Sequence, residues 1–324
     1  MAAAPAPATA AARRRDAPAP RAGRPGRPRR ARHTDGTAGW WFIAPNLVGM
    51  LLFTLIPVVA AVLIAFTDWD VVSGLGGVRF TGLANFTELL SDDRFWHSFK
   101  LTGIYTGVSV PLSVLFGLGL AIALNRPVPG RAALRTIFFL PYIVNQVAIG
   151  MTWLLLLNPS SGMVNEVLRS VGIDDPPAWF ASSDWALPAF MIMAVWGGVG
   201  YAAVIYLAAL QDLPTDLYEA AAIDGAGPWR RFTTITWPAL VPTTTFVFVT
   251  LVISVSQSFG LVVLITQGGP GDSTRVLPAF IYQSGFEYYR FGYASAAGLL
   301  TFVCVLVLTL SFWRFQKGRA LYDD

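Results

Sequence analysis

One short stretch, YEAAAIDGAGPWRRFTTITWP at residues 218–238, places charged and turn-forming residues between two long apolar runs. Glu219 and Asp224 offer carboxylates that can accept hydrogen bonds from a partner protein. The small side chains of Ala220 and Ala221 leave the backbone open to close approach. These residue types, at this spacing, suit the docking of another protein.

The same stretch has the signals of two short helices joined by a turn. Pro214 suits a helix start, and Gly225 stands where a left-handed residue would end that first helix. Pro228 can open a second helix, in which apolar residues recur at helical spacing, and Pro238 is expected to close it at the membrane. The recurring apolar positions are Trp229, Phe232 and Ile235.

These residues alone leave two interpretations of the helical pair open. In the first, the pair lies outside the bilayer and docks a partner through its carboxylates and small residues. In the second, it is an amphipathic hairpin that rests on the lipid headgroups. Residue types and spacing favour neither.

The composition of the whole chain indicates a protein that crosses a membrane several times. Its 324 residues are 54% hydrophobic and 13% charged, and the mean hydropathy is +0.54. Soluble domains carry about 25% charged residues. The single cysteine, Cys304, excludes an internal disulfide framework.

Six apolar segments are long enough to span a bilayer as helices, since about 20 residues cross a hydrocarbon core of about 30 Å. We therefore predict an all-α integral membrane protein with six transmembrane helices. The segments are residues 40–66, 101–125, 136–157, 185–210, 239–265 and 293–313.

Basic residues set the predicted orientation and domain limits. The first 38 residues hold nine arginines among Ala, Pro and Gly, which predicts a disordered tail (1–38) that touches anionic headgroups. We expect no nucleic-acid partner, because no aromatic or folded element accompanies these arginines. Most other Lys and Arg residues fall in the loops on the same side as this tail, so both termini and residues 212–238 are expected in the cytoplasm. The membrane domain is then 39–314, followed by a cytoplasmic tail, 315–324.

The sequence contains neither a motif for ATP binding nor a charged residue within the spans that would couple transport to an ion gradient. A phosphate-binding loop needs Gly-Lys-Ser/Thr, yet the only lysines, Lys100 and Lys317, follow Phe99 and Gln316. No Asp, Glu, Lys, Arg or His lies within the six apolar segments, which disfavours ion coupling. His33 and His97 fall in the tail and a loop and give no paired-histidine metal site. We expect no catalytic or metal site, and a partner that provides the work.

An uncharged interior also limits the cargo. Neutral polyhydroxyl solutes are held by amides, hydroxyls and aromatic faces. The same side chains also form hydrogen bonds between membrane helices, which is the competing interpretation of each. The candidates along a solute pathway are Asn145, Gln146, Trp196, Tyr201, Ser254, Ser256 and Gln257.

The stretch at 218–238 resembles the EAA loop of binding-protein-dependent ABC importer permeases. The family's spacing is matched by Glu-Ala-Ala, Gly225, Ile235 and Pro238. Trp237 stands in place of the usual Leu. The resemblance implies a type I ABC importer permease fold, in which this loop carries a coupling helix that docks in a cleft of a separate ATPase. ATP and Mg²⁺ would bind that partner, and this chain would hold no cofactor. The implied coupling residues are Glu219, Ala220, Ala221, Asp224, Gly225, Ile235 and Pro238.

Two further segments, residues 80–103 and 266–296, resemble the first and last outer loops of sugar-type permeases. They imply a sugar substrate, an extracytoplasmic solute-binding protein, an ATPase dimer and a second, related permease. A polyol or glycerophosphate is the alternative cargo, and a membrane scaffold without transport is the alternative function. Asn85-Phe86-Thr87 matches a glycosylation acceptor, which we interpret as coincidence.

Overall fold

The computed structural model describes residues 35–70, 74–126 and 129–320. The chain divides into two compact units, Met1–Thr54 and Leu55–Asp324. The described part of the first unit is one helix, α1 (Asp35–Met50), and the start of a π-helical turn, Leu51–Leu55. The remaining elements belong to the second unit.

The described residues of the second unit form helices joined by loops, together with a small hairpin of two antiparallel strands, β1 (Thr67–Asp68) and β2 (Arg79–Phe80). Further π-helical turns cover Phe232–Thr236 and Gln283–Glu287, and 3₁₀ turns cover Leu75–Gly77 and Trp179–Ala181. The helices are α2 (Ile56–Ile64), α3 (Ala84–Ser91), α4 (Asp93–Asn125), α5 (Arg131–Ile143), α6 (Gln146–Leu156), α7 (Met163–Ser170), α8 (Ala186–Gln211), α9 (Thr215–Ile223), α10 (Pro228–Arg231), α11 (Trp237–Ser256), α12 (Phe259–Ile265), α13 (Leu277–Tyr282) and α14 (Phe291–Ala320).

Within the described residues, five helical stretches are long and apolar enough to cross a membrane, and a bent pair gives a sixth. The pair is α5 with α6, which meet at 101°. The third predicted segment, 136–157, is therefore not one continuous helix. Val144 is extended, and the Asn145 side chain caps α6 by accepting a hydrogen bond from the Val147 amide at 2.8 Å, so a new helix begins there.

The core of the second unit forms where α4 packs along α8. Each helix presents two small residues four positions apart, Ser113 and Gly117 on α4, Gly198 and Ala202 on α8. A Cβ added at Gly117 would collide with Ala202, and one at Gly198 would collide with Ser113. This spacing of small residues lets two membrane helices approach closely. Both α5 and α11 pack against this pair.

A second close approach fixes α5 against α8. A Cβ at Gly200 would collide with the backbone carbonyl of Phe138, so only glycine fits at this crossing. Tyr142 and Tyr201 stack nearby with ring centroids 4.8 Å apart. The sharp turn between α5 and α6 at Val144 therefore follows a helix, α5, that is packed tightly against α8.

The predicted tail lies almost entirely outside the described residues. Residues 1–34 are not described, whereas residues 35–38 already belong to α1. The predicted limit at residue 38 is thus a few residues too late. No proline interrupts residues 35–40, so the helix of the first span can continue beyond its apolar stretch. At the other end, α14 continues through residues 315–320 of the predicted C-terminal tail.

The loop between α2 and α4 is anchored by Asn85. Its side-chain amide donates to the carbonyls of Ala65 and Thr67 at 2.9 and 2.8 Å, and the residue is 7% exposed. Gly292 packs so closely that a Cβ there would collide with the Thr67 carbonyl. Both amide hydrogens of Asn85 are used inside the fold, which agrees with reading the glycosylation pattern as coincidence.

Candidate functional site

The EAA loop (residues 212–238) begins with α9, whose end is built as the sequence predicts. Gly225 adopts φ +75°, in the left-handed region. The Ala226 amide donates to the Ala221 carbonyl at 2.9 Å, and the Gly225 amide donates to the Ala222 carbonyl at 3.1 Å. These two bonds form a Schellman motif, which satisfies carbonyls at the helix end and reverses the chain.

Two side chains hold the loop in this shape. Arg231 donates through Nε to the Ala226 carbonyl at 2.7 Å, which closes the turn. The hydroxyls of Tyr218 and Thr236 lie 2.8 Å apart and join α9 to the helical stalk below it. Thr236 is buried and directly precedes α11, so this contact links α9 to the start of the fifth span.

The second helix of the loop does not end at Pro238, so that prediction is wrong. The chain stays helical from Pro228 through the π-helical turn Phe232–Thr236 and into α11, up to Ser256. A π-helical turn widens the hydrogen-bond ladder just where Pro238 lacks its N–H and would crowd an earlier carbonyl. The loop is therefore continuous with the fifth span.

The outward surface of the loop combines carboxylates with large apolar side chains. Glu219, Asp224 and Ala220 are exposed. Beside them Ile223 is 87% exposed and Trp229 is 76% exposed, with the Trp229 ring stacked on Phe232 at 5.7 Å. Of the other implied coupling residues, Ala221 and Ile235 are half-buried and Pro238 is exposed. An apolar patch rimmed by acids is typical of a protein-docking surface.

A cavity of about 130 Å³ lies between α4, α8 and the broken helices, and we call it the central cavity. Three predicted pathway residues line it: Gln146, Trp196 and Ser254. Tyr105, Tyr142 and Ser258 also line it and were not predicted. Ser258 lies in the break between α11 and α12, where its hydroxyl donates to the Ser254 carbonyl at 3.2 Å.

The other pathway candidates lie elsewhere. Ser256 and Gln257 line a separate cavity of about 500 Å³ beside α13 and α14. They are two and three residues beyond Ser254, which turns them to another helix face. Asn145 is exposed and caps α6, and Tyr201 stacks on Tyr142 at the edge of the central cavity. The predicted cluster is therefore split between two faces of the bundle.

At the opposite end of α4 and α14 from the EAA loop, one charged pair and one hydrogen bond join the loop before α4 to the residues around the start of α14, and the sequence predicted neither. Arg290 donates to both carboxylate oxygens of Glu88 at 2.8 and 2.6 Å, and Tyr293 donates to Asp92 at 2.6 Å. The hydrogen bonds to Glu88 raise the pKa of Arg290 above its ordinary value, partial burial opposes this, and nearby charges including Asp68 add to it. About 200 residues separate the partners, so no local pattern signals the pairing.

Within the part of the chain that the structure describes, no group of three or more His, Cys, Asp or Glu residues is placed to hold a metal ion. The features that remain are an exposed loop with carboxylates and apolar side chains, a cavity among the spans that includes polar side chains, and two loops joined to each other.

Comparison with protein families decides the assignment. Residues 113–319 match the family of binding-protein-dependent transport system inner membrane components. The chain belongs to this family. It is the permease, a non-catalytic membrane subunit, of an ABC importer.

Individual relatives agree with this assignment over most of the permease. It is 33% identical over 313 residues to the diacetylchitobiose uptake system permease protein NgcF of Streptomyces coelicolor, covering 93% of this chain and 88% of that protein. It is 33% identical over 291 residues to the trehalose/maltose transport system permease protein MalF of Thermococcus litoralis, covering 89% and 96%.

A solved structure has the same fold. It is a bacterial alginate ABC transporter in complex with an alginate pentasaccharide-bound periplasmic protein. The match has a TM-score of 0.73 and 26% identity, covering 85% of this chain and 92% of that chain. The predicted type I importer fold is thereby confirmed for the permease.

Proposed function

We propose that this permease imports a neutral sugar or a related polyhydroxyl solute, with energy from a separate ATPase dimer. A solute-binding protein delivers the solute from outside the cell, and a second, related permease completes the pathway. Both termini and the EAA loop face the cytoplasm, because Lys and Arg are concentrated on that side. Nucleotide binding biases the assembly between inward and outward access.

The observation that carries the proposal is the construction of the EAA loop. It exposes Glu219 and Ile223 to a partner, is closed by a Schellman motif at Gly225, and continues without a break into the fifth span. An ATPase that grips this loop and moves would pull directly on α11, which lines the central cavity through Ser254. Glu219 and Asp224 supply carboxylates to a cleft on the ATPase.

The lining of the central cavity favours an uncharged polar solute. Gln146 offers an amide, Ser254 and Ser258 offer hydroxyls, and Trp196 offers an aromatic face. At about 130 Å³ the cavity is below the range of about 300–1,000 Å³ usual for ligand pockets. A solute would therefore enter when the helices separate in another state of the transport cycle.

The alternative cargoes differ in charge. A glycerophosphate needs cationic or multiple N–H donors along its path, and the apolar segments carry no Lys, Arg or His. This makes a phosphorylated solute a poor fit. A polyol presents the same hydroxyl groups as a sugar and remains the neighbouring candidate.

A second permease is expected because an ATPase dimer offers two docking clefts and this chain presents one loop. The broken pair α5 and α6 exposes large apolar side chains, including Ile137, Ile143 and Leu155. Such a surface suits either lipid or another membrane subunit. The resemblance to sugar-type permeases favours a related but distinct chain over a copy of this one.

The test is uptake by a reconstituted transporter. The permease, the ATPase and companion subunits encoded with it, and the solute-binding protein are placed in liposomes with labelled maltose, trehalose, diacetylchitobiose or glycerol 3-phosphate outside. We expect accumulation of a neutral saccharide that needs ATP on the side of the ATPase and no ion gradient. Accumulation driven by an ion gradient through this chain alone would contradict the proposal.

A further inference from the structure

A further cavity lies far from the EAA loop, between the loop before α4 and the loop before α14, and the proposed function does not use it. It measures about 490 Å³, and we call it the loop cavity. This volume is within the range of about 300–1,000 Å³ typical of small-molecule pockets. Its principal lining residues are Asp68, Trp69, Asp70, Tyr288, Tyr289 and Arg290.

The walls of the loop cavity are held in place by contacts outside it. The indole of Trp69 donates to the Gly74 carbonyl at 3.0 Å, and its ring packs against Phe291 with centroids 5.6 Å apart. The amides of Tyr288 and Arg290 donate to the carbonyls of Gln283 and Ser284 at 3.0 and 2.9 Å. A backbone bridge between Asp70 and Arg290 joins the two loops. A preorganised lining lowers the ordering cost of binding a ligand.

The chemistry of the lining selects the class of ligand. Asp68 supplies an acceptor carboxylate, Arg290 supplies N–H donors, and the tyrosines supply hydroxyls and ring faces. The Arg290 guanidinium disfavours binding of a cationic ligand, and the carboxylates of Asp68 and Asp70 disfavour binding of an anionic one. A neutral ring with several hydroxyls fits all of these groups, because each hydroxyl both donates and accepts and the C–H face can lie on an aromatic ring.

We propose that the loop cavity binds a neutral sugar ring on the external side of the membrane, separately from the central cavity. The proposal rests on the proposed function for its orientation and solute class. Tyr288 and Asp68 are the central contacts: Tyr288 is 53% exposed, and Asp68 is exposed beside Arg290. A sugar bound in the loop cavity would lie near the external entrance of the transport pathway when the solute-binding protein releases the sugar.

The test measures binding by the full chain in lipid nanodiscs, by saturation-transfer NMR with maltose, trehalose and diacetylchitobiose as probes. We expect at least one probe to bind the unmodified chain. Tyr288→Ala should weaken its Kd about tenfold through loss of a stacked ring, and Asp68→Asn should weaken it also. Tyr288→Phe keeps the ring and should bind nearly as the unmodified chain does.

The matched control is Phe80→Ala, which removes an aromatic side chain that is 80% exposed in the same loop region but outside the cavity lining. Each variant is first checked for unchanged thermal stability. Lack of binding by the unmodified chain, or equal binding by Tyr288→Ala and Phe80→Ala, would overturn the site. ATP-driven sugar uptake by the reconstituted transporter would survive that result, so failure of the site is distinguishable from failure of the proposed function.

Discussion

At the scale of single residues, Gly225 shows how one backbone position sets the shape of the EAA loop. Its φ of +75° is costly for residues with a Cβ, while the space around it is open, since no other atom would lie within 4 Å of an added Cβ. A substitution there therefore acts through backbone conformation alone. The left-handed region costs most L-residues roughly 1–2 kcal/mol, and asparagine less.

We predict that Gly225→Val weakens binding of the ATPase to the permease about tenfold, because the α9 end can no longer close as a Schellman motif. Gly225→Asn, which tolerates the left-handed region, should bind within about threefold of the unmodified chain. Titration of the ATPase onto nanodisc-embedded permease measures both. Equal affinities for the Val and Asn variants would show that the left-handed turn is irrelevant to docking.

The same residues show what the sequence could and could not predict. Gly225 and Pro228 are local signals, and the turn and the start of the second short helix that they predict are observed. The contact between Glu88 and Arg290 joins positions 202 apart, so only the folded chain reveals it. The placement of Ser256 away from the central cavity depends on how α11 is rotated about its axis. Because α11 is apolar on all sides, its sequence does not show which face points to the cavity.

At the scale of elements, close helix contacts through small residues replace the hydrophobic driving force that is missing in lipid. The α4–α8 contact uses Gly117 and Gly198, and the α5–α8 crossing uses Gly200. The six apolar segments were recognisable from length and composition. The break between α5 and α6 was not, because it depends on Asn145 capping a new helix within an unbroken apolar run.

We predict that Gly200→Ala lowers the thermal stability of the purified permease by several degrees, since the added Cβ would collide with the Phe138 carbonyl. Gly197→Ala on the same helix is the control, because nothing lies within 4 Å of its Cβ position. That change should be neutral or slightly stabilising, as alanine favours helix over glycine by about 1 kcal/mol. Equal melting temperatures for the two variants would contradict the tight α5–α8 crossing.

At the scale of the whole molecule, the proposed function requires the EAA loop and the outer loops at residues 80–103 and 266–296 to lie on opposite sides of the membrane. The native Cys304 is first replaced by serine, and a single cysteine is then introduced by Ile223→Cys or Phe80→Cys, both highly exposed positions. In spheroplasts, a membrane-impermeant maleimide should label the Phe80→Cys chain directly. It should label the Ile223→Cys chain only after the membrane is permeabilised. The reverse pattern would refute the orientation.

The central claim is that the exposed EAA loop transmits the work of ATP hydrolysis to the spans, and the amount of solute imported per ATP hydrolysed tests it most directly. The comparison is between Glu219→Lys and Asp216→Lys, two equal charge changes at exposed positions of α9. Glu219 belongs to the Glu-Ala-Ala motif, whereas Asp216 precedes that motif. In proteoliposomes we predict that Glu219→Lys lowers this ratio at least about tenfold, while Asp216→Lys stays within about twofold of the unmodified transporter. An unchanged ratio in Glu219→Lys would contradict the account.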